Sequence, residues 1–282
     1  MERIVVGVDE TPAAAAAARF AVEEGRARGW PVTAVLCWAY PGRHGEGPGE
    51  PSPDGGDRPR SPALDRLLRD ALGSRVDEVA RTVDEVDFAV SGLLHHVDAG
   101  DLLVLGPSRA GLTHGLVSGS VTQRCLRRTP CPVAVVHDGA VPPPQRVVVG
   151  VDGSAPSEGA LRWALAEGRA RGLPVHLVHA WEVPILAAPV LLDPRDPVHR
   201  DAARAELDRI VGALPPSAGD VHVEPVLVEG PPADVLLERS EQGDLVVVGT
   251  RGIGGVAALL LGSTALRLSQ LAPGPVVLVP DP

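Results

Sequence analysis

Lysine is absent from this chain of 282 residues, in which all 26 basic residues are arginine. Its absence excludes the lysine of a Walker A phosphate loop and any catalysis through a lysine Schiff base. The 36 acidic residues bring the formal net charge to −10, and the arginines are scattered among them without forming a basic stripe. We therefore expect no nucleic-acid partner, because binding to a phosphate backbone requires clustered positive charge.

Cysteine and long hydrophobic runs are also scarce. The three cysteines, Cys37, Cys125 and Cys131, have no C-x-x-C spacing, so they indicate neither a disulfide framework nor a zinc site. The longest nearly apolar stretch, Val183 to Leu192, contains two prolines and is too short to cross a bilayer. No basic segment followed by an apolar one precedes the first strand-like run, Ile4 to Val8. These features predict a globular cytoplasmic protein with no membrane association.

An internal repeat organises the chain. The sequence Val5 to Asp9 recurs unchanged as Val148 to Asp152, and the same offset of 143 residues relates further glycine, tryptophan and proline positions. The copies meet within Asp138 to Gln145, where three consecutive prolines favour a short, stiff linker. We therefore predict two domains, residues 1–138 and 146–282, each with its own core.

Strands and helices alternate within each copy. In the second copy, apolar runs predict strands at 147–151, 175–181, 221–228, 245–248 and 275–279, and helical spacing predicts helices at 155–171, 201–214, 233–241 and 262–271. This order predicts an α/β fold in which each domain is a doubly wound, five-stranded parallel sheet flanked by helices. In such a fold, ligands bind beyond the carboxyl ends of the strands.

A glycine-rich segment follows the fourth predicted strand of the second copy. It reads Gly249-Thr250-Arg251-Gly252, then nine residues, then Gly262-Ser263. Glycines at a strand end allow close backbone approach, and a helix that begins at Ser263 offers N–H groups and a dipole that favour phosphate. A tight βα turn is the alternative interpretation of such glycines.

Two further strand ends face the same predicted crevice. Asp152 ends the first strand of the second copy and can accept hydrogen bonds from ribose hydroxyls. Ala180, near the end of the second strand, can present backbone groups to an adenine edge. The conjunction of these features with the glycine segment favours a nucleotide site over a simple turn.

These motifs resemble the ATP-binding members of the universal stress protein (UspA) family, which carry G-x2-G-x9-G-(S/T) after the fourth strand. The resemblance covers essentially the whole chain and implies two adenine nucleotide α-hydrolase-like domains. It implies that Asp152 contacts ribose, that the Ala180 backbone contacts adenine, and that the phosphates are enclosed by Gly249, Gly252, Gly262, Ser263 and Thr264. Arg251 either screens phosphate charge or is a solvated loop residue. ATP, or AMP or ADP, is the implied cofactor, and Mg²⁺ could accompany it.

The first copy departs from this pattern. Asp9, Gly106, Gly119 and Ser120 remain, but Arg109 stands at the position of Gly252. Its side chain either occludes or weakens the site, or pairs with a phosphate. We predict a degenerate first site. The Gly/Pro-rich segment Gly42 to Pro59 is predicted to be disordered, with partner recognition as the alternative.

The histidines predict no metal site. His95 and His96 are neighbours in a predicted helical stretch and would point in different directions, so we expect surface or packing roles. His176 and His179 have no cysteine or carboxylate cluster beside them in the sequence.

The pattern favours a regulatory nucleotide-binding module in the stress response over an enzyme, because no lysine or acidic pair accompanies the loop. A nucleotide-free structural pseudo-dimer and a slow ATP hydrolase or phosphotransferase are the alternatives. The last strands, Val133 to Val136 and Val276 to Leu278, are apolar edges that need covering. We therefore predict an internal pseudo-dimer of the two domains, with a homodimer through Val183 to Leu192 as a further option.

Overall fold

The computed structural model of the protein describes residues 2–37, 61–107, 121–139, 142–182, 197–252 and 261–281. The chain divides into two compact units, residues 1–141 and 142–282, each built as one α/β domain. Among the described residues, no helix combines the length and apolar character needed to cross a membrane.

The first domain is a parallel sheet with helices between its strands. Its strands are β1 (Ile4–Val8), β2 (Val32–Cys37), β3 (Val79–Glu85), β4 (Leu102–Leu105) and β5 (Val133–Val135). Its α-helices are α1 (Pro12–Arg28), α2 (Pro62–Leu72), α3 (Ala89–Leu94) and α4 (Val121–Leu126). The strand order is β3-β2-β1-β4-β5, with every pairing parallel.

The second domain repeats this arrangement. Its strands are β6 (Arg146–Gly150), β7 (Val175–Trp181), β8 (Val223–Glu229), β9 (Asp244–Gly249) and β10 (Val276–Val279). Its α-helices are α5 (Ala155–Arg171), α6 (Pro197–Gly212), α7 (Pro232–Arg239) and α8 (Ser263–Leu271). The order is β8-β7-β6-β9-β10, again with parallel pairings.

The predicted α/β fold is confirmed, with five parallel strands in each domain. In each domain the first three strands follow one another toward one edge, and the fourth strand lies on the other side of the first. The strand order therefore reverses between β1 and β4 in the first domain, and between β6 and β9 in the second. Their carboxyl ends form the topological switch point, where ligands bind in open α/β sheets. The core strands are almost wholly buried, in keeping with their continuous apolar sequences.

The helix after the first strand has matching ends in the two domains. Thr11 and Ser154 are the N-caps of α1 and α5, and each side chain accepts a hydrogen bond from a backbone N–H three residues on. Gly29 and Gly172 end these helices in the left-handed conformation, with φ of 68° and 66°. The helix predicted at 155–171 is confirmed as α5, and α1 has the same kind of capping residue at its start and glycine at its end.

Other boundaries differ slightly from the predictions. The helix expected at 201–214 is α6, which begins four residues earlier and ends two residues earlier. The strand expected at 221–228 is β8, which begins two residues later and ends one residue later. His95 and His96 are not helical: α3 ends at Leu94, and the imidazole of His96 pairs with Glu85 across 2.9 Å between Nε2 and Oε2. The predictions for Gly42–Pro59 and Val183–Leu192 lie outside the described residues.

Candidate functional site

Asp152 lies directly beyond β6 and is held in place by the start of α5. Its Oδ1 accepts hydrogen bonds from the backbone N–H of Ser154 at 3.0 Å and from the Ser154 hydroxyl at 2.5 Å. Its own backbone N–H donates to the Ser157 hydroxyl at 3.3 Å. The carboxylate therefore has a fixed orientation at the switch point.

Gly252 lies against this carboxylate. A Cβ atom added to Gly252 would overlap Oδ2 of Asp152. The φ angle of Gly252 lies outside the left-handed region, so its backbone conformation does not itself require glycine. Any larger residue here would have to displace the carboxylate, and glycine therefore preserves the position of Asp152.

Gly249 ends β9 and packs against the first turn of α5. A Cβ on Gly249 would lie 2.8 Å from the carbonyl carbon and 2.9 Å from the oxygen of Pro156. In the first domain, a Cβ added to Gly106 would likewise lie 2.9 Å from the Cβ of Ala13. Both glycines bring a strand end and a helix start into close contact.

The chain returns to the end of β9 at Gly262, after a segment outside the described residues. The backbone N–H of Gly262 donates to the carbonyl of Thr250 at 2.7 Å, and Gly262 is the N-cap of α8. Glycine has no side chain with which to cap the first-turn N–H groups. Ser263 and Thr264 are the first two residues of α8, so their hydroxyls and N–H groups lie at the helix N-terminus beside the glycine segment.

Arg251 is involved in a specific contact that neither of its predicted roles anticipated. Its Nη2 lies 2.9 Å from Oδ2 of Asp281, in an ion pair that is partly exposed. Asp281 follows β10, thirty residues further along the chain. The guanidinium is thus held near the strand ends by a carboxylate.

Ala180 lies near the end of β7, the strand beside β6, where its neighbour His179 is buried. The Nδ1 of His179 is 2.8 Å from the carbonyl oxygen of Val151, and the N–H of Val151 donates to Val178. These contacts tie the ends of β6 and β7 together. Ala180 and Asp152 therefore lie on adjacent strand ends, as the sequence predicts.

Glu206 and Arg209 of α6 also approach this edge, although no sequence motif marks them. A Cβ on Gly153, which has a φ of 78°, would overlap Oε1 of Glu206. Glu206 pairs with Arg209 at 2.7 Å, and hydrogen bonds from this guanidinium lower the pKa of the Glu206 carboxyl. The approach of α6 to the turn after β6 depends on tertiary packing, which helical periodicity does not report.

Two residues of the predicted first site lie within the described part of the chain. Asp9 follows β1, and its Oδ1 accepts hydrogen bonds from the N–H and hydroxyl of Thr11 at 2.9 and 2.5 Å. Gly106 follows β4. Arg109, Gly119 and Ser120 lie outside the described residues, so the expected occlusion stays a prediction.

The part of the chain that the structure describes contains no group of three or more His, Cys, Asp or Glu arranged to hold a metal ion. The cysteines there are unpaired, and burial raises the pKa of the Cys125 thiol to about 12. The same cause raises the pKa of the partly buried Cys37 thiol to about 11, with Glu85 and Asp87 adding to the effect.

Comparison with known proteins identifies the family. The model of the Universal stress protein family matches residues 1–137 and again residues 144–280. Universal stress protein Rv2623 of Mycobacterium tuberculosis (strain H37Rv) is 32% identical over 297 residues, covering 97% of this chain and 95% of the relative. Universal stress protein Rv2005c of the same strain is 34% identical, with the same two coverages.

Solved structures agree on the fold. The crystal structure of a universal stress protein from Archaeoglobus fulgidus matches with a TM-score of 0.61 and 15% sequence identity, covering 99% of this chain and 98% of that one. A crystal structure of a protein of unknown function from Pseudomonas aeruginosa matches with a TM-score of 0.59 and 16% identity, covering 99% and 92%. The chain therefore belongs to the universal stress protein family, as two copies of the family's domain in tandem.

Proposed function

We propose that this protein binds ATP, or AMP or ADP in its place, in its second domain and acts as a regulatory module in the stress response. The observation that carries the proposal is the absence of a side chain at Gly252, directly beside the fixed carboxylate of Asp152. Because glycine has no side chain, the Asp152 carboxylate, a hydrogen-bond acceptor, lies directly against glycine backbone. That combination suits a ligand that has both hydroxyls and phosphates.

Each part of the nucleotide has residues of suitable chemistry. Asp152 would accept hydrogen bonds from ribose hydroxyls, and backbone groups of Ala180 would meet the adenine edge. The phosphates would be held by residues of the glycine segment and of the α8 N-terminus: Gly249, Gly252, Gly262, Ser263 and Thr264. The nine-residue helix α8 and its glycine N-cap support this assignment, because the N-cap leaves the first-turn N–H groups without a capping side chain.

Arg251 would supply positive charge near the phosphates while remaining paired with Asp281. The ion pair restricts the guanidinium, so its contribution to nucleotide affinity is smaller than that of a free arginine would be. Mg²⁺ could accompany the nucleotide by binding its phosphate oxygens.

The proposal is for binding without turnover. Phosphoryl transfer requires charge neutralisation and a positioned nucleophile or water. The chain has no lysine, Arg251 is paired, and Asp152 is oriented by Ser154 at the proposed ribose position. Phosphate release above background that is abolished by Gly252→Arg would contradict this part of the proposal.

The stress-response role rests on membership of the family, whose name the mycobacterial relatives share. The internal pseudo-dimer and the homodimer remain predictions. Solution scattering on the full chain tests the second of these, since a mass of one chain, about 29 kDa, would exclude the homodimer.

Isothermal titration of the full chain with ATP tests the proposed site. Gly252→Arg places the first copy's residue at this position and should weaken ATP binding at least tenfold, because its Cβ displaces the Asp152 carboxylate. Gly243→Ala is the matched control, since its Cβ would make only ordinary contact with Gln145, at 3.7 Å or more. Unchanged affinity in Gly252→Arg, or no ATP binding by the unmodified chain, would overturn the proposal.

A further inference from the structure

β3 lies at one edge of the sheet in the first domain. Of the strands in the described ranges, only β2 pairs with it. Its outer side therefore presents backbone N–H and C=O groups that no described strand meets. Such an edge is a template for pairing with another chain, and proteins usually guard it with proline, charge or a covering element.

The corresponding edge strand of the second domain, β8, carries such a guard. The N–H of Val175 in β7 donates to the carbonyl of His222 at 2.8 Å, so alternate residues from His222 bond inward and Pro225 faces outward. Proline has no N–H and is tolerated at an edge in this orientation. Thr82 has the position of Pro225 in the same register, so β3 presents an outward N–H where β8 has none.

Opposite charges lie symmetrically about Val83 in β3. Arg81 and Glu85 are two residues to either side of it, so all three side chains lie on one face of the strand. Arg81 is exposed and has no ion pair within the described part of the chain. Glu85 is partly exposed, and its Oε2 lies 2.9 Å from Nε2 of His96. An antiparallel strand of the same sequence, centred on Val83, would place Arg81 of each molecule opposite Glu85 of the other.

The same register satisfies the outward backbone groups of β3. Thr82 and Asp84 carry the outward N–H and C=O groups, and each would meet the other across the two strands as a hydrogen-bonded pair. Val83 would meet Val83 of the second molecule as a non-hydrogen-bonded pair, in which side chains approach most closely. β8 lacks this match, because Pro225 cannot donate and Glu224 stands at the position of Arg81.

Two exposed apolar residues follow β3. Val86 is 43% exposed and Phe88 is 72% exposed. The second domain has Glu229 and Pro231 at the same positions. In the antiparallel register, Val86 would lie opposite Ala80 of the second molecule, near the start of its β3. This apolar contact extends the interface beyond the paired strands, although the area stays small and favours a weak dimer.

We propose that β3 is the surface through which two molecules of this chain associate, as an antiparallel pair of edge strands centred on Val83. A second molecule is the occupant because the edge is complementary to itself: Arg81 gains a carboxylate, Glu85 gains a guanidinium, and the outward backbone groups pair. The inference goes beyond ATP binding. No residue of the proposed nucleotide site lies in β3, so either proposal can fail without the other.

Sedimentation equilibrium of the full chain over a range of concentrations measures the association. We expect a reversible monomer–dimer equilibrium with a dissociation constant in the micromolar range. Thr82→Pro and Arg81→Glu each place in β3 the residue that β8 has at that position, and each should weaken the dimer at least tenfold. Arg127→Glu makes the same charge change at an exposed position after α4 and should leave the dimer unchanged.

Oxidative cross-linking in air with copper phenanthroline tests the register. Val83→Cys should give a disulfide-linked dimer on non-reducing gels, because residue 83 meets itself across the pair. Ala80→Cys is the matched control, since in this register the two exposed positions lie about 20 Å apart, and it should give no more dimer than the unmodified chain.

Three results would overturn the proposal. The first is a single-chain mass for the unmodified chain at every concentration. The second is a dimer that Arg81→Glu does not weaken, as expected of association through the segment 183–192. The third is cross-linking of Ala80→Cys as efficient as that of Val83→Cys. Because Arg81 is exposed, Arg81→Glu decides the question even where Thr82→Pro fails to fold.

Discussion

Alanine in place of Gly249 should destabilise the second domain, because its added methyl group would meet backbone. The nearest atoms are the carbonyl carbon, the Cβ and the oxygen of Pro156, at 2.8 to 2.9 Å, and none of them can move without shifting the start of α5 away from β9. Overpacking of this kind costs about 1–3 kcal/mol. With alanine in place of glycine, the unfolded chain has less conformational entropy to lose on folding, which offsets up to about 1 kcal/mol of that cost.

The net loss of about 1–2 kcal/mol corresponds to a fall in melting temperature of roughly 2–8 °C for a domain of this size. Differential scanning calorimetry on the full chain measures it, and Gly106→Ala provides an independent test in the first domain, where the added atom would meet Ala13. Gly243→Ala is the control, with an expected change within about 0.5 kcal/mol.

Gly252→Ala distinguishes a binding role from a packing role. Its added methyl group meets the end of a flexible side chain, Oδ2 of Asp152, which can rotate away. We therefore expect a melting temperature close to that of Gly243→Ala together with weaker ATP binding. The reasoning is refuted if Gly249→Ala has the same melting temperature as Gly243→Ala. It is also refuted if Gly252→Ala has a lower melting temperature than Gly249→Ala.

Three further outcomes are expected. Arg146→Ala should lower the free energy of unfolding, measured by chemical denaturation, by about 2–4 kcal/mol. The variant leaves the buried carboxylate of Asp244 without the guanidinium that now lies 2.7 Å away. A loss below about 0.5 kcal/mol would contradict this. Alkylation of Cys37 should accelerate about tenfold per pH unit between pH 7 and 10. The reason is that a thiol with a pKa of about 11 is almost fully protonated throughout that range. A rate that stops rising near pH 8 would contradict the raised pKa. Arg251→Ala should weaken ATP binding less than about fivefold in isothermal titration, because the ion pair with Asp281 already neutralises much of its charge, and a loss as large as that of Gly252→Arg would be inconsistent with this.

The fold could be predicted because its signals are local and repeated. Apolar runs marked the buried strands, and helical spacing predicted a helix at 155–171, which are the bounds of α5 in the structure. Because the two copies align at an offset of 143 residues, a motif found in one domain could be compared with the residues at the same position in the other. Boundaries were less accurate for α6, which begins four residues before and ends two residues before the helix predicted at 201–214.

The contacts within the candidate site could be predicted only in part. Adjacent strand ends followed from topology, so Asp152, Ala180 and Gly249 were expected to lie at one edge. The partner of Arg251, the approach of Glu206 to Gly153 and the space that Gly252 leaves for Asp152 depend on how separate elements pack. No short-range pattern encodes these contacts.

Counting ATP molecules bound per chain tests the central claim most directly. Equilibrium dialysis of the full chain against labelled ATP, carried to saturation, gives the number of sites without assuming where they lie. The account predicts one ATP per chain, and at least tenfold weaker binding in Gly252→Arg. Two ATP molecules per chain, or one that Gly252→Arg binds with unchanged affinity, would contradict the assignment of the nucleotide to the second domain.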